Sequence, residues 1–210
     1  MSKILIICGH YGSGKTNLTL NLAMSAKESA TVCDLDIVNP YFRSGEFGEI
    51  FSGRNIKLIT TKYANTTLDI PSVNEEVYGI FEREGEIFLD VGGDDKGATV
   101  LGRFSKLLND AGAKMIYVVN FYRNLTRTAE EAFDVLKEIE IASRIKFQGI
   151  VNNSNLGAET TIETVENSKE EAERLSSLTG LPILFTTIDE KLSTDSKYRP
   201  IKIYVKPNFA

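Results

Sequence analysis

Gly9-His10-Tyr11-Gly12-Ser13-Gly14-Lys15-Thr16 follows the apolar run Ile4-Leu5-Ile6-Ile7-Cys8 and opens a helix-like stretch. The octapeptide fits GxxxxGK[ST] at every required position, and strand, glycine loop and helix start in succession are the context that gives the pattern meaning. Gly9, Gly12 and Gly14 permit backbone conformations closed to other residues, so successive N–H groups can turn inward and wrap phosphates at a helix N-terminus. Lys15 then reaches the outer phosphates and the Thr16 hydroxyl ligates magnesium. His10, Tyr11, Ser13 and Asn17 belong to the same expected nucleotide-binding segment. The bland alternative is a glycine-rich turn with an incidental Lys-Thr.

Working outward, apolar runs alternate with helical patterns from end to end, the signature of a parallel sheet covered on both faces. Strands are predicted over 3–8, 31–34, 56–60, 86–91, 114–119, 147–152 and 182–186. Helices are predicted over 15–29, from Ser72 onward, over about 97–111, from Thr128 onward and over about 160–178. Ser72-x-x-Glu75 and Thr128-x-x-Glu131 are capping boxes, and Gly180-Leu181-Pro182 stops the last helix. Ser193 to Pro200 reads as a surface loop, and the alternating tail Ile201 to Val205 fits an edge strand or a contact for another chain. The expected fold is a three-layer α/β/α arrangement around a mostly parallel sheet of about seven strands, with residues 1–210 as a single nucleotide-binding domain.

Composition narrows the function classes. The chain has 210 residues, 24 Lys and Arg against 29 Asp and Glu, and a net charge of −5. Scattered acidity argues against broad attraction to nucleic acid. No apolar run approaches the roughly 18 residues of a membrane helix, and no secretory leader pattern opens the chain, so a cytoplasmic protein is expected. Cys8 and Cys33 each end an apolar run without a CxxC partner, which suits small buried hydrophobes better than a disulfide or a metal site.

Ligands on such sheets gather at the carboxyl ends of the strands. After the second predicted strand come Asp34 and Asp36, two carboxylates placed to orient an attacking water or to hold magnesium through water. Arg43 in the same loop is a surface residue or a cation for the site. The fourth predicted strand ends in Asp90-Val91-Gly92-Gly93, with Asp90 the natural magnesium partner and the glycines leaving backbone N–H free to approach a terminal phosphate. Asp94, Asp95 and Lys96 fit either that phosphate-sensing loop or the cap of the next helix. The sixth predicted strand closes with Val151-Asn152-Asn153-Ser154-Asn155, where an asparagine amide offers both donor and acceptor to a purine edge. A guanine-specific loop ends in a carboxylate, and Asn155 stands in that place here, so adenine is favoured over guanine.

With these motifs in order, the chain resembles the MinD/ParA and CobQ/CobB superfamily of deviant phosphate-loop NTPases. The resemblance spans nearly the whole length and rests on Gly9 to Thr16, Asp34-Leu35-Asp36, Asp90-Val91-Gly92-Gly93 and Val151-Asn152. It implies ATP and Mg2+ as cofactors, Lys15 and Thr16 at phosphates and metal, and Asp36 near the attacking water. It further implies Asp90 toward magnesium, Gly93 toward the terminal phosphate and Asn152 at the base. Asn120 to Arg123 occupy a place that in such proteins often responds to dimerisation. One departure matters: the MinD/ParA branch carries a second, early loop lysine that crosses a dimer, and its position here is His10, the only histidine in the chain. A homodimer therefore stays open, and Arg43, Lys96 and Arg123 are alternative cations.

The expected function is a slow Mg-dependent ATPase switch that controls an unidentified protein partner, with roles in metallocofactor maturation or enzyme activation among the options. An ATP-dependent kinase or ligase of the CobQ or dethiobiotin synthetase type is the alternative, although the Thr that follows the first loop glycine in those enzymes is absent. A non-hydrolysing nucleotide-binding module is the third option. Neither nucleic acid nor a membrane is expected as partner.

Overall fold

All seven apolar runs form strands, and an eighth joins them. The computed structural model describes residues 3–35, 48–51, 53–60, 78–92, 95–193 and 197–205. Its strands are β1 (Lys3–Cys8), β2 (Ala30–Asp34), β3 (Ile56–Thr60), β4 (Glu86–Asp90), β5 (Lys114–Val119), β6 (Phe147–Asn152), β7 (Ile183–Asp189) and β8 (Arg199–Ile201). Its helices are α1 (Lys15–Met24), the four-residue α2 (Gly48–Phe51), α3 (Asp95–Asp110), α4 (Ala129–Ser143), α5 (Ile162–Asn167) and α6 (Lys169–Thr179). A 3-10 turn covers Gly79–Glu82. The predicted helix start at Ser72 lies outside the described residues.

The strands form one sheet in the order β3-β2-β4-β1-β5-β6-β7-β8. Every pairing among the described residues is parallel. Strands of such a sheet are buried on both faces, which explains their unbroken apolar runs. Successive side chains alternate between the two faces. Ile6, Leu89 and Tyr117 pack on one side under α3, α4 and α6, with Leu101, Leu136 and Leu175 as the facing side chains. Ile7, Phe88 and Val118 pack on the other side under α1, through Leu18 and Leu22. Tyr117 is fully buried, donates its hydroxyl to the Ala132 carbonyl at 3.0 Å and meets the Phe147 ring edge-on at 5.2 Å, so its one polar atom is satisfied inside the core.

Several boundaries differ from the sequence expectation for local reasons. Helix α1 ends at Met24 rather than Ser29 because Ser25 Oγ donates to the Asn21 carbonyl at 2.7 Å while Ser25 N is shared between the Asn21 and Leu22 carbonyls, a tightened last turn. The single helix expected over 160–178 is two helices. Ser168 separates them: its hydroxyl donates to the Val165 carbonyl at 2.7 Å and accepts from Asn152 Nδ2 at 2.9 Å. Such side-chain bonds compete with helix propagation. Thr128 caps α4 by accepting from Glu131 N, but the Glu131 carboxylate accepts from Arg127 N rather than Thr128 N, so only half of the expected capping box forms; Gly180 ends α6 at φ +72°. The edge strand lies at Arg199–Ile201 rather than 201–205, parallel to β7. Residues 202–205 instead run along α1.

Candidate functional site

The octapeptide sits at the carboxyl end of β1, with β4 and β2 on one side and β5 and β6 on the other. A position where neighbouring connections depart in opposite directions leaves a crevice beyond the strand ends. Three glycines make the turn. Gly9 crosses β5 so closely that a Cβ would lie 2.1 Å from the Val118 carbonyl oxygen. Gly12 (φ +75°) and Gly14 (φ +84°) are left-handed, and Gly14 is the N-cap of α1. Ser13 N donates to the His10 carbonyl at 3.2 Å and Leu18 N to the Gly14 carbonyl at 3.0 Å, joining loop to helix.

Lys15 and Thr16 occupy the first turn of α1, both mostly buried. The Lys15 ammonium donates to the His10 carbonyl oxygen at 3.1 Å, so its charge is held over the loop it came from. The Ser13 hydroxyl is buried, and among the described residues it has no hydrogen-bond partner. Half-buried His10 has its pKa lowered, first by burial, then by the charge of Lys15, with Glu138 acting weakly in the opposite direction. Tyr11 is exposed at the crown of the loop.

Asp34 and Asp90 stand together. They are register partners on β2 and β4, both buried, and Asp90 is also level with Ile7, two residues before the loop begins. Two carboxylates at the strand ends beside the loop suit a magnesium ion that takes one or two protein oxygens and completes its shell with phosphate and water. Among the described residues no group of three His, Cys, Asp or Glu side chains is arranged to hold a metal by itself. Asp36, Arg43, Gly93 and Asp94 lie outside the described residues, as do the side chains of Asp95 and Lys96.

On the opposite side the asparagines divide their work. Asn152 is fully buried; its Oδ1 accepts from Ser154 N and Oγ, and its Nδ2 donates to Ser168 Oγ. Asn153 turns to the phosphate loop instead. Its Nδ2 donates to the Ser13 carbonyl at 2.6 Å and its Oδ1 accepts from Thr187 Oγ1. A Cβ at Gly14 would lie 2.3 Å from that Nδ2, so the third loop glycine is required by Asn153 as well as by its own φ. Asn155 closes the segment on itself, donating to the Asn153 carbonyl and accepting from Gly157 N.

Two further connections have no counterpart in the motif. Asn17 and Asn21, one turn apart on α1, clasp residues 202–205. Both Nδ2 groups donate to the Lys202 carbonyl, Asn21 Oδ1 accepts from Lys202 N, and Asn17 Oδ1 accepts from Tyr204 N and Val205 N. Arg123, from the turn after β5, donates through Nε to the Gly12 carbonyl at 3.2 Å. The i, i+4 asparagine pair was the available sequence signal for the first; for the second, Arg123 stood among the alternative cations expected from the sequence, though its contact with Gly12 was not marked.

No protein-family model matches this chain, and no curated protein sequence matches it. Solved structures do. FtsY from Mycoplasma mycoides superposes with a TM-score of 0.59 at 14% identity, over 90% of this chain and 60% of that one. The cell division protein FtsY from Thermotoga maritima gives 0.54 at 16% identity, over 90% and 63%. The signal recognition particle receptor FtsY from Elizabethkingia anophelis, in complex with GDP, gives 0.54 at 14% identity, over 91% and 58%. This chain spans about three fifths of the length of those chains. At such identities the likeness establishes the fold, that of the phosphate-loop NTPases. It does not single out the MinD/ParA or CobQ/CobB branch. Among the described residues no helix is long and apolar enough to cross a membrane.

Proposed function

We propose that this chain binds Mg-ATP in the 9–17 loop and hydrolyses it slowly, as a single nucleotide-binding domain whose nucleotide state governs a protein partner. The observation that carries the reading is the loop itself: left-handed glycines at the N-terminus of α1, Lys15 poised over them, and Asp90 in register with the strand that leads in. The site fits a polyphosphate. Backbone N–H groups at a helix N-terminus and a buried lysine attract it, and the buried Ser13 hydroxyl is a further polar group in the cradle. Thr16 and Asp90 would hold magnesium, with Asp36 beside the attacking water and Gly93 near the terminal phosphate. Magnesium would supply charge neutralisation between the outer phosphates.

Adenine remains the favoured base. The amide of Asn155, in the place of a guanine-reading carboxylate, is engaged within its own loop, and no negative charge there awaits the guanine N1 and N2 hydrogens. Asn152, through Ser154 and Ser168, shapes that loop from within rather than meeting the base edge. The GDP in the fold relative makes guanine the competing base. The resemblance to MinD/ParA and CobQ/CobB proteins supports a cytoplasmic switch, and His10 in place of the second lysine supports weak or absent homodimerisation with turnover of about 0.0001 to 0.01 per second.

Calorimetry with Mg-ATP and Mg-GTP, with phosphate release followed in parallel, tests the reading. Wild type binds Mg-ATP more tightly than Mg-GTP, Lys15→Ala abolishes binding, and Asp90→Asn binds nucleotide with turnover lowered at least tenfold. Absence of binding to either nucleotide sinks the proposal.

A further inference from the structure

Arg123 lies across the phosphate loop from outside the octapeptide. Besides the Nε bond to the Gly12 carbonyl, its Cδ and Nε would lie 3.5 Å from a Cβ at Gly12, so the side chain rests flat on that glycine. The residue is exposed, and Nε is the one guanidinium nitrogen with a hydrogen-bond partner among the described residues. The turn that presents it is rigidly made. Buried Asn120 accepts from Tyr122 N and Asn155 N through Oδ1, and from Arg123 N and Thr126 Oγ1 through its carbonyl. Phe121 N donates to Ser154 Oγ, and the Tyr122 hydroxyl to the Thr164 carbonyl. An arginine held this way gives up little additional freedom when a ligand arrives.

The sheet order decides what it can reach. Asp34 and Asp90 come from β2 and β4, on one side of β1; Arg123 comes from β5, on the other, and its turn is bonded to the 153–155 loop of β6. Arg123 therefore stands away from the carboxylates and next to the segment proposed to surround the base. We infer that Arg123 stacks its guanidinium on the nucleobase while Nε keeps the Gly12 carbonyl, and that it is not the cation that assists phosphoryl transfer. The inference rests on the proposed nucleotide binding. A planar guanidinium stacks on the π face of any base, so it adds affinity more than base choice.

Calorimetry on wild type, Arg123→Ala and Arg123→Lys with Mg-ATP and with magnesium tripolyphosphate tests this. Arg123→Ala is expected to weaken Mg-ATP binding about 3- to 30-fold while tripolyphosphate changes by less than about twofold. Arg123→Lys, which keeps the charge and loses the plane, falls between wild type and Arg123→Ala for Mg-ATP. Thermal midpoints equal to wild type confirm intact variants. Equal weakening of both ligands, or lost turnover at unchanged affinity, overturns the inference and makes Arg123 a phosphate group contact. Failure of the wild type to bind Mg-ATP or Mg-GTP would refute the nucleotide reading first, and this inference with it.

Discussion

Gly14 meets two requirements that can be separated by experiment. Its φ of +84° would strain any residue with a Cβ, and that Cβ would also strike the Asn153 amide. Gly180 shares the first condition alone: its φ is +72°, and a Cβ there would meet nothing within 4 Å. Gly180→Ala should therefore cost about 1–2 kcal/mol from backbone strain. Gly14→Ala should exceed it by about 1 kcal/mol or more, because the bond from Asn153 to the Ser13 carbonyl is lost as well. Urea denaturation of the two variants measures the difference; equal costs would mean that the Asn153 amide yields without loss. The glycine spacing was legible in the sequence. Which of two adjacent asparagines meets the loop was not, although strand alternation accounts for it: Val151 packs on the α1 side, so Asn152 points to the opposite face and Asn153 returns to the side of the loop.

Helix α1 shows how an element can be located from sequence while its role stays hidden. The Lys15 start is legible in the glycine loop. The other face of the helix carries Asn17 and Asn21, poor helix formers whose side chains act here as a strand edge would, offering donor and acceptor to the backbone of residues 202–205. Tyr204 and Val205 then pack against the apolar cluster on that face of the sheet. The i, i+4 asparagine pair is the local signal, but it does not name its partner, which lies more than 180 positions away. Asn17→Ala should destabilise the fold by about 1–3 kcal/mol, because it removes one donor and leaves Tyr204 N and Val205 N without an acceptor. Asn17→Asp keeps the acceptor for Tyr204 N and Val205 N while its second carboxylate oxygen faces the Lys202 carbonyl without a proton to donate, so the loss is confined to the Lys202 contact. Amide exchange at Tyr204 and Val205 provides the local measure: it should accelerate strongly in Asn17→Ala and weakly in Asn17→Asp. Unchanged exchange in both would show that apolar packing alone holds the segment.

At the scale of the molecule, the decisive fact is the strand order, which no run of residues encodes. Sequence periodicity established parallel strands covered by helices, but only the long-range pairing places β4 and β5 on either side of β1. That pairing makes the candidate site two-sided, with carboxylates from β2 and β4 on one side of the loop and amide and guanidinium groups from the turns after β5 and β6 on the other. A ligand bridging both sides ties together segments that otherwise meet mainly through the sheet, and it stabilises the folded chain in proportion to its affinity. At a concentration one hundred times its dissociation constant, Mg-ATP should add about 2.7 kcal/mol. For a chain of this size that corresponds to a rise in the thermal midpoint of about 5–11 °C. Scanning calorimetry at fixed protein concentration, with Mg-ATP and Mg-GTP each at the same concentration, measures it. The shift with Mg-ATP should be the larger, and it should vanish in Lys15→Ala; equal shifts with the two nucleotides would remove the adenine preference while leaving the phosphate site intact.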